Sequence, residues 1–237
     1  MSFYNLKRPQ HLERKDFNKD EYTKLKWDEF DNFDVICSFW TIFAKTVTYE
    51  MKNKFTPYKG TYPSMYYSYD RGKRCHDKIA KICKGYKSLP TLSHYCHTVS
   101  NFMPCPKNFN SAKGLLDDVK DFLPLMIDKI QNCINNKTNL QYIDNEGPII
   151  IELEQVKKWH EFFLNNQKEL CLDMYYVVET DEKVLRGIPF FEGQSLGNPL
   201  PDNKPKIEEC LNNIVGCIEL RADKLKDKLK DNSIENN

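Results

Sequence analysis

Apolar residues recur at three- and four-residue intervals in five separate stretches of this 237-residue chain. That spacing places them on one face of a helix, and a helix with an apolar face must bury it. In the first stretch Phe33, Cys37, Trp40, Ala44 and Val47 form the stripe, widened by Phe30, Phe39 and Phe43, with Asp28 or Asp31 as its cap. The second, Arg71–Lys87, carries Cys75, Ile79, Ile82, Cys83 and Tyr86 on its apolar side. The third, Ser111–Asn135, runs through Leu116, Val119, Leu123, Met126, Ile130 and Ile134, and Pro124 inside it should kink or split it. A fourth spans Glu152–Gln167 through Leu153, Val156, Trp159, His160 and Phe163. The fifth runs from Ile207 through Leu211, Ile214, Ile218, Ala222, Leu225 and Leu229. Phe33, Trp40, Val47, Leu123, Ile130, Trp159, Phe163, Ile214 and Ile218 are therefore expected to meet in one core.

The intervening segments look irregular. Residues 54–70 mix Pro57, Gly60 and Pro63 with Tyr58, Tyr62, Tyr66, Tyr67 and Tyr69, which excludes a continuous helix. Those rings can cover a core edge or stack on a planar ligand. Residues 136–148 read as a polar loop, and Pro148–Ile151 as a strand or a buried connection. Leu170–Val178 either continues the fourth helix or forms a strand. A long loop follows, with Gly187, Pro189, Gly193, Gly197, Pro199, Pro201 and Pro205. The fold class expected is mainly α, a single α-rich globular domain with a long Gly/Pro-rich loop and few short strands. Its expected boundaries are an irregular arm over 1–27, the domain over 28–230 and a disordered tail over 231–237.

Composition bounds the function classes. At 40% hydrophobic and 13% aromatic the chain is globular rather than disordered. The formal net charge is +1, so partner electrostatics must come from local patches. No run of about 18 apolar residues is present and the N-terminus does not read as a signal peptide, so a membrane partner is not expected. Nine scattered cysteines, several on helical faces, fit reduced thiols and a cytoplasmic location.

The densest collection of reactive residue types runs from His94 to Asn110. Zinc needs four nitrogen or sulfur ligands, commonly as two close pairs. Cys75, His76, His94, Cys96, His97 and Cys105 supply the residue types, yet His94-x2-His97 and Cys96-x8-Cys105 miss the usual spacings. No cofactor is therefore expected, with zinc or another divalent metal on His94, Cys96, His97 and Cys105 as the alternative. Cys96 or Cys105 beside an imidazole would make a nucleophile. Arg71, Lys73, Arg74, Lys78, Lys81, Lys84 and Lys87 set seven positive charges against Asp77 alone, a pattern that neutralises phosphates. A solvated face opposite a core stripe produces the same pattern.

His97-Thr-Val-Ser-Asn101-Phe-Met-Pro, followed by Asn108-Phe-Asn110, resembles a His-Thr-[Ile/Val]-x-Asn box of uncharacterised bacterial and phage proteins, in which the box follows a basic helix. The segments near Trp159–Phe163 and Ile188–Phe190 share that resemblance, which covers residues 70–225 loosely and implies no established activity. The box is also similar to the C-terminal half of the HNH nuclease motif. That similarity implies a turn asparagine at Asn101, a later one at Asn108 or Asn110, and His97, Asn101 and Asn110 as catalytic candidates. The upstream Asp/Glu-His-Ile box of that family, which supplies its general base, is absent. The expectation is thus a soluble binding or interaction protein, with protein or nucleic acid as its partner; the alternative is a metal-dependent, degenerate HNH-like nuclease.

Overall fold

The computed structural model describes residues 58–59, 99–104, 106, 108, 109, 112, 122–144 and 147–234. Their order is β1 (Tyr58–Lys59), the 3-10 turn η1 (Val99–Asn101), β2 (Phe102–Met103), α1 (Leu123–Asn136), β3 (Leu140–Asp144), β4 (Gly147–Ile151), α2 (Leu153–Asn166), β5 (Tyr176–Glu179), β6 (Val184–Gly187) and α3 (Lys204–Ile234). This corrects the expectation of a mainly α fold. About 52% of the described residues are helical and 16% are strand, and β3–β4 and β5–β6 are regular hairpins between the helices rather than incidental bridges.

The physical reason for the correction is local. Residues 136–148 are polar enough to read as a loop, but Leu140, Tyr142 and Ile143 are β-formers that pair in register with β4, Leu140 opposite Ile151 and Asp144 opposite Gly147. Val184 and Leu185, hidden at the head of the Gly/Pro-rich stretch, pair with β5, Val178 opposite Leu185 and Tyr176 opposite Gly187. Each ladder is antiparallel, as short connections require.

The three helices form largely where the spacing places them. Pro124 does not kink α1: it occupies the first turn, where its missing N–H has no intrahelical partner to lose. α1 ends at Lys137, whose left-handed backbone lets its own N–H reach the Ile134 carbonyl while the Thr138 N–H bonds the Cys133 carbonyl. At the start of α3, Asn203 accepts the Lys206 N–H on its side-chain oxygen at 3.1 Å, and Pro205 again sits where no donor is needed. The helix then runs about 46 Å for its 31 residues and reaches Ile234, past the boundary expected at 230.

The core joins Leu123, Ile130, Trp159, Phe163, Ile214 and Ile218 as expected, with Leu185, Tyr175, Tyr176, Phe190 and Phe191 from the hairpin and loop. Phe33, Trp40 and Val47, like the 1–27 arm, lie outside the described residues. Phe163 meets Tyr176 edge-on at 6.0 Å, and the Tyr176 hydroxyl donates to the Phe163 carbonyl at 2.9 Å. Between β6 and α3 the long loop is closely stitched. Gln194 accepts the Phe190 N–H at 2.7 Å and donates to the Pro199 carbonyl at 3.2 Å, while Asn213 of α3 donates to the Phe190 carbonyl at 2.8 Å.

Candidate functional site

Of the segment richest in reactive residue types, the described residues are mostly buried. Asn101 is 1% exposed in η1, and Met103, Pro104, Pro106, Phe109 and Ala112 are all buried. Phe109 enters the core between Trp159 and Phe163, with ring centroids 5.3 and 5.2 Å away in edge-to-face contacts. Asn108 beside it is exposed with φ 66°, a left-handed conformation that asparagine tolerates better than most residues. The turn is thus built to drive Phe109 inward.

Arg221 of α3 fastens the same segment from the other side. It is fully buried, donating from Nη1 to the Ser100 carbonyl at 2.6 Å and from Nε to the Leu170 carbonyl at 3.1 Å. Burial pushes its pKa down, opposed by Tyr175, Cys171 and Tyr176 around it. One and two turns further, Lys224 pairs with Asp173, and Lys228 pairs with the Glu169 carboxylate at 2.6 Å and its carbonyl at 2.8 Å. One side of α3 thereby grips the turn between α2 and β5. A buried arginine on an otherwise apolar stripe carries no sequence signal of this role beyond breaking the pattern of Ile218, Ala222 and Leu225.

A second polar centre, absent from the sequence expectations, lies where α1, α2 and the β5–β6 hairpin meet. In the hairpin, Leu185 and Gly187 stand opposite Val178 and Tyr176, and the Ile188 N–H bonds the Tyr175 carbonyl at 2.9 Å. Antiparallel alternation then turns the Leu185 and Gly187 N–H groups away from β5. Two side chains of α1, three residues apart, receive them: Gln131 accepts from Leu185 at 2.8 Å and Asp128 from Gly187 at 2.7 Å. On the opposite edge Gln167 donates to the Tyr176 carbonyl. A hairpin whose edges would otherwise offer free backbone groups is therefore closed by helix side chains.

His160 of α2 completes this centre. It is 8% exposed, and its Nε2 lies 3.0 Å from the same Gln131 oxygen. The Gln131 amide nitrogen donates to Asn135 at 2.8 Å, so the amide is oriented from both ends. Burial lowers the His160 pKa, opposed by the backbone at Lys183 and the charge of Glu161. Burial likewise raises Asp128, opposed by its Gly187 hydrogen bond and Arg186. The arrangement positions backbone and holds a neutral ring; the chemistry available to it is proton uptake.

The described cysteines are free thiols: Cys133, Cys171 and Cys210 are buried and Cys217 is partly so. Burial raises Cys171 despite the nearby Arg221, Lys228 and Lys224, and pushes Cys217 up to about 12, so neither is an activated thiolate at neutral pH. Among the described residues no group of three or more His, Cys, Asp or Glu is placed to hold a metal. No helix among them is long and apolar enough to cross a membrane. Arg71, Lys73, Arg74, Lys78, Lys81 and Lys84, with His94, Cys96, His97, Cys105 and Asn110, lie outside the described residues. Comparison with protein-family models, curated proteins and solved structures finds no match to this chain.

Proposed function

We propose that this chain is a binding protein whose contact element is the basic segment Arg71–Lys87, with nucleic acid as the partner and the α1–α3 body as its scaffold. The observation that carries this reading is the segregation of charge. Residues 51–100 hold ten Lys/Arg and two Asp/Glu, whereas residues 101–237 hold seventeen and twenty-three. A near-neutral total thus hides a basic segment attached to an acidic body, which confines attraction for a polyanion to one part of the chain. Within the body, Arg221, Lys224 and Lys228 are already engaged by Ser100, Leu170, Asp173 and Glu169.

The test is a salt titration of binding to single- and double-stranded oligonucleotides, comparing the unaltered chain with the Lys78→Glu, Lys81→Glu double variant. Each phosphate that the variant no longer neutralises should flatten the slope of log K against log salt by about 0.9 on duplex or about 0.7 on single strands. A variant that binds as tightly as the parent, with the same slope, overturns the reading. The nuclease alternative draws on Asn101, which is 1% exposed in η1, and that burial counts against direct contact with a substrate. Divalent-metal-dependent cleavage of the same oligonucleotides would restore that alternative.

A further inference from the structure

The junction of α1, α2 and the β5–β6 hairpin depends on one amide oxygen. Gln131 Oε1 accepts both the Leu185 N–H and a hydrogen bond from His160. The Leu185 N–H can only donate, so the group facing it must be the amide oxygen, and Asn135 takes up the amide nitrogen on the other side. An oxygen has no proton to give, so the proton in the 3.0 Å contact sits on His160 Nε2. In the neutral ring Nδ1 then carries no proton, and the Lys183 backbone that hydrogen-bonds the ring favours its protonated form.

Protonating Nδ1 puts a full charge into this junction. The groups facing it from α1 are the neutral amides of Gln131 and Asn135, and the nearby α1 carboxylate, Asp128, is taken up by Gly187. The hairpin contributes the Leu185 N–H and the backbone at Lys183. Its charged side chains, Lys183 and Arg186, are exposed, and Arg186 pairs with Glu179 at 2.7 Å. On α2 itself the acting charge is Glu161, an exposed side chain. Among the described residues, burial opposes an imidazolium here more strongly than the Lys183 backbone and Glu161 favour it, and reaching water relieves that burial.

The three elements are not equally free to let water in. α1 and α2 are 14-residue helices joined through Ile130, Trp159 and Phe163. The hairpin is two four-residue strands joined by an exposed turn, tied to α1 by the Leu185 and Gly187 N–H bonds and to the core by only two fully buried side chains, Tyr176 and Leu185. We propose that His160 is a pH-sensitive latch: proton uptake by its ring releases the β5–β6 hairpin from α1 while the three helices stay packed. The device exposes the hairpin's backbone edges in mildly acidic conditions and covers them again near neutrality.

Hydrogen exchange followed by mass spectrometry or NMR tests this on the full chain at pH 7.5 and pH 5, corrected for intrinsic exchange. Protection at Leu185 and Gly187 should fall by up to about thirtyfold at pH 5, the opening expected for a ring that titrates near 6.5 only when exposed. Protection in α1 and α3 should not follow. In His160→Gln, whose amide can still donate to Gln131, the hairpin should lose this pH dependence. Equal loss across all elements, or the same hairpin response in His160→Gln, overturns the proposal. A response abolished by Asp128→Asn but not by His160→Gln assigns the latch to Asp128 and overturns it too. Should His160→Gln fail to fold, imidazole 15N shifts of the unaltered chain decide. A ring carrying its proton on Nε2 and titrating below 6.5 supports the latch, and an Nδ1–H ring or a midpoint at 6.5 overturns it.

Discussion

Two lysines hold backbone conformations that suit glycine better. Lys137 closes α1 at φ 53° and Lys183 closes the β5–β6 turn at φ 54°, both in the left-handed region where a Cβ is penalised. Lys137→Gly should raise stability by about 1 kcal/mol, read from the shift of the denaturant midpoint at unchanged slope. The titrating residues act with opposite signs. His160 is lowered when folded, so its contribution is present above the unfolded value near 6.5 and is lost as pH falls toward the folded one. Asp128 is raised when folded, so its contribution is present below 3.8 and is lost as pH rises through the folded value. Stability measured from pH 7.5 downward should therefore drop first, and the drop should shrink in His160→Gln. Thiol chemistry follows burial in the same way: Cys133, Cys171 and Cys217 should alkylate slowly at pH 8 until the protein is denatured, since each is held above its ordinary value.

At the level of elements, the contacts that matter are between pieces distant in the chain. Gly187 lets β6 lie directly on the first turn of α1: a Cβ at that position would stand 2.3 Å from the Pro124 carbonyl oxygen. Gly187→Ala must push the strand away and should cost about 1–3 kcal/mol, with loss of hairpin protection in hydrogen exchange as the accompanying sign. Phe109 is the corresponding anchor for the segment after η1, wedged between Trp159 and Phe163. Phe109→Ala should cost about 3–5 kcal/mol and open the 99–112 segment to limited proteolysis. Arg221→Met tests the other fastening. It leaves the Ser100 and Leu170 carbonyls without their donor, each worth about 1–3 kcal/mol when buried, while removing the cost of burying a cation. Proteolysis near η1 that accelerates more than global stability falls would mark Arg221 as the local clamp.

On the scale of the whole molecule, α3 is the member that connects the rest. Its buried stripe, Ile207, Cys210, Leu211, Ile214, Ile218, Ala222 and Leu225, joins the common core, and its cations reach back to η1 and to the turn before β5. Charge is partitioned just as unevenly, with the basic excess in 51–100 and the acidic excess after it. Binding to oligonucleotides should therefore weaken with salt more steeply than the net charge of +1 suggests, and a fragment lacking residues 51–100 should not bind them.

The described helices were legible in the sequence because their signal is local. The spacing of Val156, Trp159 and Phe163, or of Ile207, Leu211 and Ile214, registers one apolar face without reference to any other element. The same spacing placed Leu123, Ile130, Trp159, Phe163, Ile214 and Ile218 in one core, which they share. Strands at Pro148–Ile151 and within Leu170–Val178 were open alternatives, but their hairpin partners were not legible, because short strands such as Val184–Gly187 show too few alternations to outweigh polar neighbours. The roles of single polar residues were legible least. Asn101, a candidate by its sequence context, is buried in η1, while Gln131 and His160, ordinary members of their helices by spacing, meet across 29 residues of chain. A polar side chain's function is set by what lies opposite it, and only the packing of α1, α2 and the hairpin supplies that opposite group.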